Sequence, residues 1–141
     1  RYIWGDVFAM LAGLFFGDAA ANTLITLYGI KNCDTVKKAR QWLDQHEVDY
    51  AFHDVRADGL ERETVAAWLD ELGWEKLINK RSTSWKDLDT STRESMDADA
   101  ALSAILAQPT LIKRPLLDTG HERFTGFSAA NYQSIFSKHT L

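Results

Sequence analysis

The chain has 141 residues and a formal net charge of −4 at pH 7, with 45% hydrophobic and 26% charged residues. This composition is typical of one globular domain and excludes the disordered and low-complexity classes, while the acidic charge argues against direct nucleic-acid binding. Cys33 is the only cysteine, so an intramolecular disulfide and a metal site built from several thiolates are both excluded.

Residues 1–22 differ in composition from the rest of the chain. Ten residues without a polar side chain, Val7–Phe16, lie between Asp6 and Asp18. This run is too short for a transmembrane span, which needs about 20 helical residues. The alanines at 19–21 fit a signal-peptide cleavage site, whereas Asp6 and the absence of an initial Met argue against one. We therefore interpret residues 1–22 as an apolar extension of unknown role, with a signal peptide as the alternative.

The domain is expected to span residues 23–141 and to begin with a strand–helix–strand unit. A β-branched and aromatic run predicts a strand at 23–28. Asp34 or Thr35 is predicted to cap a helix that continues to about Gln45. Alternating residues predict a second strand at 48–54, parallel to the first because a helix connects the two.

The middle of the chain, residues 60–106, is predicted to be a mostly helical insertion. Apolar residues recur at helical spacing from Val65 to Leu72, and a basic turn with a short helix follows at 76–88. A further apolar face predicts a helix at 97–106.

Strand patterns return after the insertion. Residues 110–112 and 116–118 are apolar runs, and a turn joins the second run to a short partner strand at 123–125. Ser128 is predicted to cap the last helix.

Cys33 lies where the first strand leads into the first helix. Unpaired amides and the positive end of the helix dipole favour the thiolate, which is the nucleophilic form. Lys31, Lys37 and Lys38 add positive charge nearby, whereas Asp34 opposes it. The polar loop favours a reactive cysteine over the alternative, a small buried hydrophobic residue.

A dithiol cycle within this chain is impossible, because Val36 occupies the position three residues after Cys33. Any disulfide must therefore form with a small thiol or with another protein.

A second polar motif, Lys113-Arg114-Pro115, interrupts the late apolar runs. The proline indicates a sheet edge, a bulge or a cis bond. The guanidinium either binds an anion through its planar fork or is simply an exposed charge.

Three segments together, residues 28–40, 83–85 and 108–117, resemble the ArsC/Spx family, most closely its YffB branch. They read YGIKNCDTVKKAR, TSW and QPTLIKRPLL, and the resemblance extends over about residues 23–137. It implies an α/β, thioredoxin-like mixed sheet with a helical insertion. It further implies that Cys33 is the redox residue, that Arg114 matches an oxyanion-binding arginine, and that a cis Arg114–Pro115 bond faces Cys33.

The sequence departs from the arsenate reductases of this family at three positions. Gly29 occupies the position of a histidine, and Gly126 that of an arginine. A further arginine position falls on Asn79, with Lys80 and Arg81 beside it. Each missing charge-assisted donor typically costs about 1.5–3 kcal/mol, so efficient arsenate reduction is not expected.

The resemblance favours a monothiol oxidoreductase that uses glutathione as cosubstrate and holds no tightly bound cofactor or metal. Cys33 would attack a disulfide, and glutathione or a glutaredoxin would resolve the mixed disulfide. Arg114 is expected to act in catalysis. The expected glutathione-binding residues are Lys31, Asn32, Arg81, Lys113 and Pro115.

Two other functions remain open. One is a glutathione- or glutaredoxin-coupled arsenate reductase. The other is a non-catalytic, Spx-like regulator that binds RNA polymerase, although the Cys-x-x-Cys motif frequent in Spx is absent here. The family and the lone thiol imply a cytoplasmic protein, and we expect a monomer.

Overall fold

The computed structural model describes residues 24–139, so the expectations for residues 1–22 lie outside the described part. The first half contains β1 Ile25–Gly29, α1 Asp34–Gln45, β2 Tyr50–Asp54, α2 Val55–Asp58, α3 Arg62–Leu72 and α4 Trp74–Leu77. The second half contains α5 Thr83–Lys86, α6 Thr90–Glu94, α7 Ala98–Ala107, a 3-10 turn Pro109–Leu111, β3 Leu116–Asp118, β4 Arg123–Thr125 and α8 Ala129–His139.

The strands form one mixed sheet in the order β2-β1-β3-β4. β1 and β2 are parallel, with Ile25 opposite Tyr50 and Gly29 opposite Asp54. β3 is antiparallel to both β1 and β4. The predicted parallel unit and the predicted hairpin are therefore confirmed.

Each face of the sheet is covered by a different set of helices. Leu27 and Leu117 point to one face and pack with buried residues of α1 and α8. Tyr28 and Leu116 point to the other face, where they pack with the helical insertion. The buried residues of the insertion face include Val65, Trp68, Leu69, Leu77, Ile78, Met96, Ala101 and Ile105. The insertion therefore supplies most of the buried core on one face of the sheet.

Two local predictions are wrong or incomplete. Residues 110–112 are not a strand, because Pro109–Leu111 forms a 3-10 turn and Ile112 makes an isolated antiparallel bridge with Ile78. α2 was not predicted; it forms because the Asp54 carboxylate accepts hydrogen bonds from two free amides of the first turn, those of Arg56 and Ala57.

An ion cluster of Arg123, Glu71 and Asp118 links the helical insertion to the hairpin of β3 and β4. Arg123 contacts the Glu71 carboxylate at 2.6 Å and the Asp118 carboxylate at 3.4 Å. The Arg123 amide also donates to Glu71, at 3.1 Å, so this carboxylate covers a backbone donor at the free edge of β4. Within residues 24–139, no helix has the length and apolar character needed to cross a membrane.

The end of β1 touches the first turns of α1 at Gly29. A Cβ at this position would lie 2.7 Å from Cγ2 and 3.0 Å from Cγ1 of Val36, which is fully buried. Real Cβ atoms essentially never approach so closely. Glycine therefore allows α1, and Cys33 at its start, to sit directly against the strand.

Gly29→Ala is expected to lower the free energy of unfolding by about 1–3 kcal/mol, because the new methyl group overpacks a site whose neighbour is rigid. Urea denaturation of the wild type and the variant measures this difference. The matched control is the same substitution in a Val36→Ala background, where the cost should largely disappear. Unchanged or increased stability of the single variant would contradict the packing explanation.

Candidate functional site

Cys33 is the N-cap residue of α1, with an extended backbone at φ −100° and ψ 124°. Its carbonyl accepts the first helical hydrogen bond from the Lys37 amide, at 3.0 Å. The prediction that Asp34 or Thr35 caps the helix is thus wrong by one or two residues. The Cys33 side chain makes no capping hydrogen bond. The sulfur therefore remains available for chemistry at the N-terminus of α1, where the first-turn amides have no helical partners.

The thiol is half-buried and packs against the insertion side of the core. The Cys33 amide donates to the Ile30 carbonyl at 3.4 Å, which closes a tight turn between β1 and α1. The preceding residues Lys31 and Asn32 are exposed. A small disulfide can thus approach the sulfur from the loop side, while the core side holds the sulfur in place.

Arg114 lies in a segment that is anchored on both sides. The Lys113 amide donates to the Leu77 carbonyl of the insertion at 2.8 Å. The bond to Pro115 is cis, as the family resemblance implies, and Pro115 is buried. The Pro115 carbonyl accepts from the Gly126 amide at 2.8 Å. The backbone around Arg114 is therefore held between the insertion and the hairpin.

The guanidinium of Arg114 is partly buried and lies within electrostatic range of Cys33. Burial lowers the pKa of Arg114 below its usual value; a charged Cys33 opposes this change, and the cation of Arg56 adds to it. The Nε atom is buried and has no hydrogen-bond partner among the described residues. A buried donor without an acceptor costs about 1–3 kcal/mol. An anionic ligand or the thiolate itself would supply that acceptor.

Arg56 is the site residue that sequence reasoning missed. Two amides of α2 donate to Asp54, at 2.9 Å from Arg56 and 3.0 Å from Ala57. The hydrogen bond from Ala57 lowers the pKa of Asp54 most, and the Arg56 amide and the charges of Lys31 and Arg56 lower it further. The available signal was the position of Val55-Arg56 directly after a strand predicted to be parallel to the strand before Cys33.

Arg81 and Lys113 lie together in a cleft of about 380 Å³, next to the Arg114 segment. The other lining residues are Glu75, Ile78, Asn79 and Lys80. The three cations outnumber the single carboxylate, so the cleft favours an anion. The predicted site residues fall into two groups. One group contains Cys33, Arg114 and Pro115, and the other contains Arg81 and Lys113, which line the cleft. The charge of Lys31 acts on the Asp54 carboxylate.

The three departures from the arsenate reductase pattern have structural correlates. A side chain at Gly29 would meet Val36. The Asn79 side chain accepts a hydrogen bond from the Arg81 amide at 3.0 Å. Gly126 has φ +83°, a left-handed conformation that disfavours an arginine. Across residues 24–139, no group of three or more His, Cys, Asp or Glu side chains is arranged to hold a metal ion.

Comparison with known proteins identifies relatives over most of the chain. The model of the ArsC family matches residues 28–135. An uncharacterised protein of Haemophilus influenzae is 45% identical over 114 residues, which cover 81% of this chain and 100% of the relative. The global transcriptional regulator Spx of Streptococcus pyogenes is 29% identical over 117 residues, covering 82% of this chain and 87% of the regulator.

Solved structures of similar proteins also match most of the chain. A protein named YffB has 44% sequence identity and a TM-score of 0.75, with 78% of this chain and 96% of that chain covered. An arsenate reductase-related protein of Brucella melitensis has 43% identity and a TM-score of 0.67, with 81% and 95% covered. The predicted α/β, thioredoxin-like fold with a mixed sheet is thereby confirmed.

Asp54→Ala is expected to cost about 1 kcal/mol of stability near neutral pH, because α2 loses its N-cap. The lowered pKa of Asp54 means that its contribution is complete above the unfolded-state value of about 3.9. The contribution is lost as the pH falls through the lower folded-state value. Urea denaturation of the wild type and the variant, from about pH 6 to about pH 2, should show the difference shrinking with acid.

The control for this prediction is Asp58→Ala, which removes an exposed carboxylate of the same helix that does not cap it. A difference between wild type and Asp54→Ala that stays constant or grows in acid would contradict the assigned role.

Proposed function

Because the chain belongs to the ArsC family, we propose that it is a monothiol oxidoreductase that uses Cys33 as nucleophile and glutathione as reductant. The observation that carries this proposal is the buried, unpartnered Nε–H of Arg114, whose guanidinium lies within electrostatic range of a half-buried thiol at the start of a helix. These groups together provide a nucleophile and a site that attracts negative charge.

The proposed reaction is a pair of thiol–disulfide exchanges. The Cys33 thiolate attacks the glutathione sulfur of a mixed disulfide, forming a new disulfide bond and releasing the other sulfur as a thiolate that takes a proton. A second glutathione, as its thiolate, then attacks the glutathione sulfur bound to Cys33. Glutathione disulfide leaves and the Cys33 thiolate is restored. In the net exchange one disulfide bond is broken and one is formed: the sulfur of the incoming glutathione is oxidised, and the substrate sulfur is reduced to a thiol. A glutaredoxin can replace the second glutathione in the same step.

Arg114 stabilises the negative charge that moves between sulfur atoms during each exchange. Its partly buried guanidinium lies within electrostatic range of Cys33. A charge-assisted hydrogen bond from the buried Nε–H is stronger than a neutral one. The same bond removes the cost of leaving this donor unpaired.

The cleft lined by Arg81 and Lys113 is the proposed location of a glutathione carboxylate. It is next to Arg114 along the chain and carries an excess of positive charge. The Lys113 amide already donates to the Leu77 carbonyl. Pairing of the glutathione backbone with the chain before Pro115 is therefore assigned to the backbone of Arg114. Lys31 and Asn32, both exposed beside the sulfur, complete the proposed contacts.

A second candidate function is regulation of transcription by binding RNA polymerase, because one of the relatives is the transcriptional regulator Spx. Direct binding of the purified protein to purified RNA polymerase, together with absence of thiol turnover, would favour it. Arsenate reduction is the weaker alternative, since the positions corresponding to two further arginines are occupied by Asn79 and Gly126.

Cys33→Ser is expected to reduce turnover of a glutathione mixed disulfide to the uncatalysed background, because a serine hydroxyl cannot form the disulfide intermediate. A glutathione-coupled assay that follows NADPH consumption measures the rate. Serine is a preferred N-cap residue, so the thermal midpoint should be equal to or above that of the wild type. This distinguishes lost chemistry from lost folding. Turnover that persists in a folded Cys33→Ser protein would overturn the proposed function.

A further inference from the structure

The register of the sheet places Arg56 at the same sheet edge as Cys33. β1 and β2 are parallel, and Gly29 opposite Asp54 is their last pair. Cys33 follows Gly29 by four residues, and Arg56 follows Asp54 by two. Both residues therefore leave the sheet at the same edge, where the carboxyl ends of parallel strands commonly form binding sites.

The backbone of Arg56 is held firmly while its side chain is free to meet a ligand. The Arg56 and Ala57 amides donate to the Asp54 carboxylate, and Val55 is fully buried. The Arg56 residue itself is exposed. A long side chain on a fixed turn loses less entropy when it binds than one on a mobile loop.

Arg56 and Arg114 form a pair of like charges. The charge of Arg56 acts on the Arg114 guanidinium. Both residues lie at the sheet edge from which Cys33 emerges, because Gly29 pairs with Asp54 and Tyr28 pairs with Leu116. Two neighbouring cations are unfavourable unless an anion compensates them. The Asp54 carboxylate, whose pKa the charge of Arg56 lowers, accepts both α2 amides at Oδ1 and offers one negative charge to the two cations. The pair thus favours an anionic group supplied by a ligand.

We propose that Arg56 is a specificity-determining residue that binds a carboxylate of the thiol joined to Cys33, so that the site prefers anionic, peptide-like thiols to neutral ones. This proposal rests on the proposed thiol chemistry of Cys33. Arg56 takes no proton and no electrons; it offers its planar fork to a carboxylate through two parallel hydrogen bonds. It is distinct from Arg81 and Lys113, which lie in the cleft on the insertion side.

The test compares two disulfides that differ in charge. The reduced protein reacts with glutathione disulfide or with the neutral 2-hydroxyethyl disulfide, and intact-mass spectrometry follows the second-order rate of Cys33 modification. Arg56→Gln should slow the reaction with glutathione disulfide about tenfold or more and leave the neutral reaction within about threefold. Arg56→Lys should recover part of the selectivity, since it restores the charge but not the fork. The control is Arg62→Gln, an exposed arginine at the start of α3.

The outcomes separate the inference from the function on which it rests. Equal slowing of both reactions would overturn the inference, because Arg56 would then act on the thiolate or on folding rather than on the carboxylate. Unchanged selectivity in Arg56→Gln would also overturn it, and in both cases the thiol chemistry of Cys33 would stand. A wild-type Cys33 that reacts with neither disulfide would overturn the proposed function and this inference together.

Discussion

The Nε–H of Arg114 is buried and has no acceptor among the described residues, and the guanidinium lies within electrostatic range of the protein's single thiol. Since such a donor costs free energy until it is paired, the fold must hold it in place by other contacts. The amide of Lys113 is bonded to the insertion, and the carbonyl of Pro115 is bonded to Gly126. These two hydrogen bonds fix the segment from both sides. The fold thus maintains an unsatisfied cationic donor where a sulfur anion can form.

The position of the thiol depends on a different constraint, the close packing of Gly29 against Val36. That contact sets the distance between the end of β1 and the start of α1. Cys33 then occupies the N-cap position without using its side chain as a cap. The parallel register of β1 and β2 also brings Arg56 to the same edge. The position of the thiol therefore depends on the Gly29 contact, and the position of Arg56 depends on the strand register.

Much of the fold could be predicted from the chain because the relevant signals are local. β-branched residues predicted β1, helical spacing predicted α1 and α3, and a turn between two short runs predicted the hairpin of β3 and β4. The 3-10 turn at Pro109–Leu111 could not be distinguished from a strand, since a short apolar run has no periodicity of its own. The capping error at Cys33 arose because neighbouring Asp34 and Thr35 are better intrinsic caps.

The site was predictable only in part. Cys33 and Arg114 carry recognisable motifs, and the structure brings them together. Arg56 has no motif, and its relation to Cys33 exists only through the pairing of β1 with β2. The separation of Arg81 and Lys113 into their own cleft likewise depends on the bridge between Ile78 and Ile112, which joins residues far apart in the chain. Tertiary pairing of this kind leaves no local pattern.

The proposed function assigns the charge of Arg114 to sulfur chemistry rather than to binding an arsenate oxyanion. One family arginine is matched by Arg114, whereas Asn79 and Gly126 stand at the other two positions. Gly126 has a left-handed backbone conformation, which favours glycine over arginine at this position. The site therefore carries one of the three arginines in the arsenate reductase pattern.

The most direct test of this account is an NMR measurement of the Arg114 Nε–H, made with isotope-labelled arginine before and after Cys33 forms a mixed disulfide with glutathione. The account predicts that the resonance shifts and that its exchange with water slows when the ligand supplies the missing acceptor. The Cys33→Ser protein treated in the same way should show neither change. An Arg114 resonance that is identical in the free and glutathione-bound wild type would contradict the central claim.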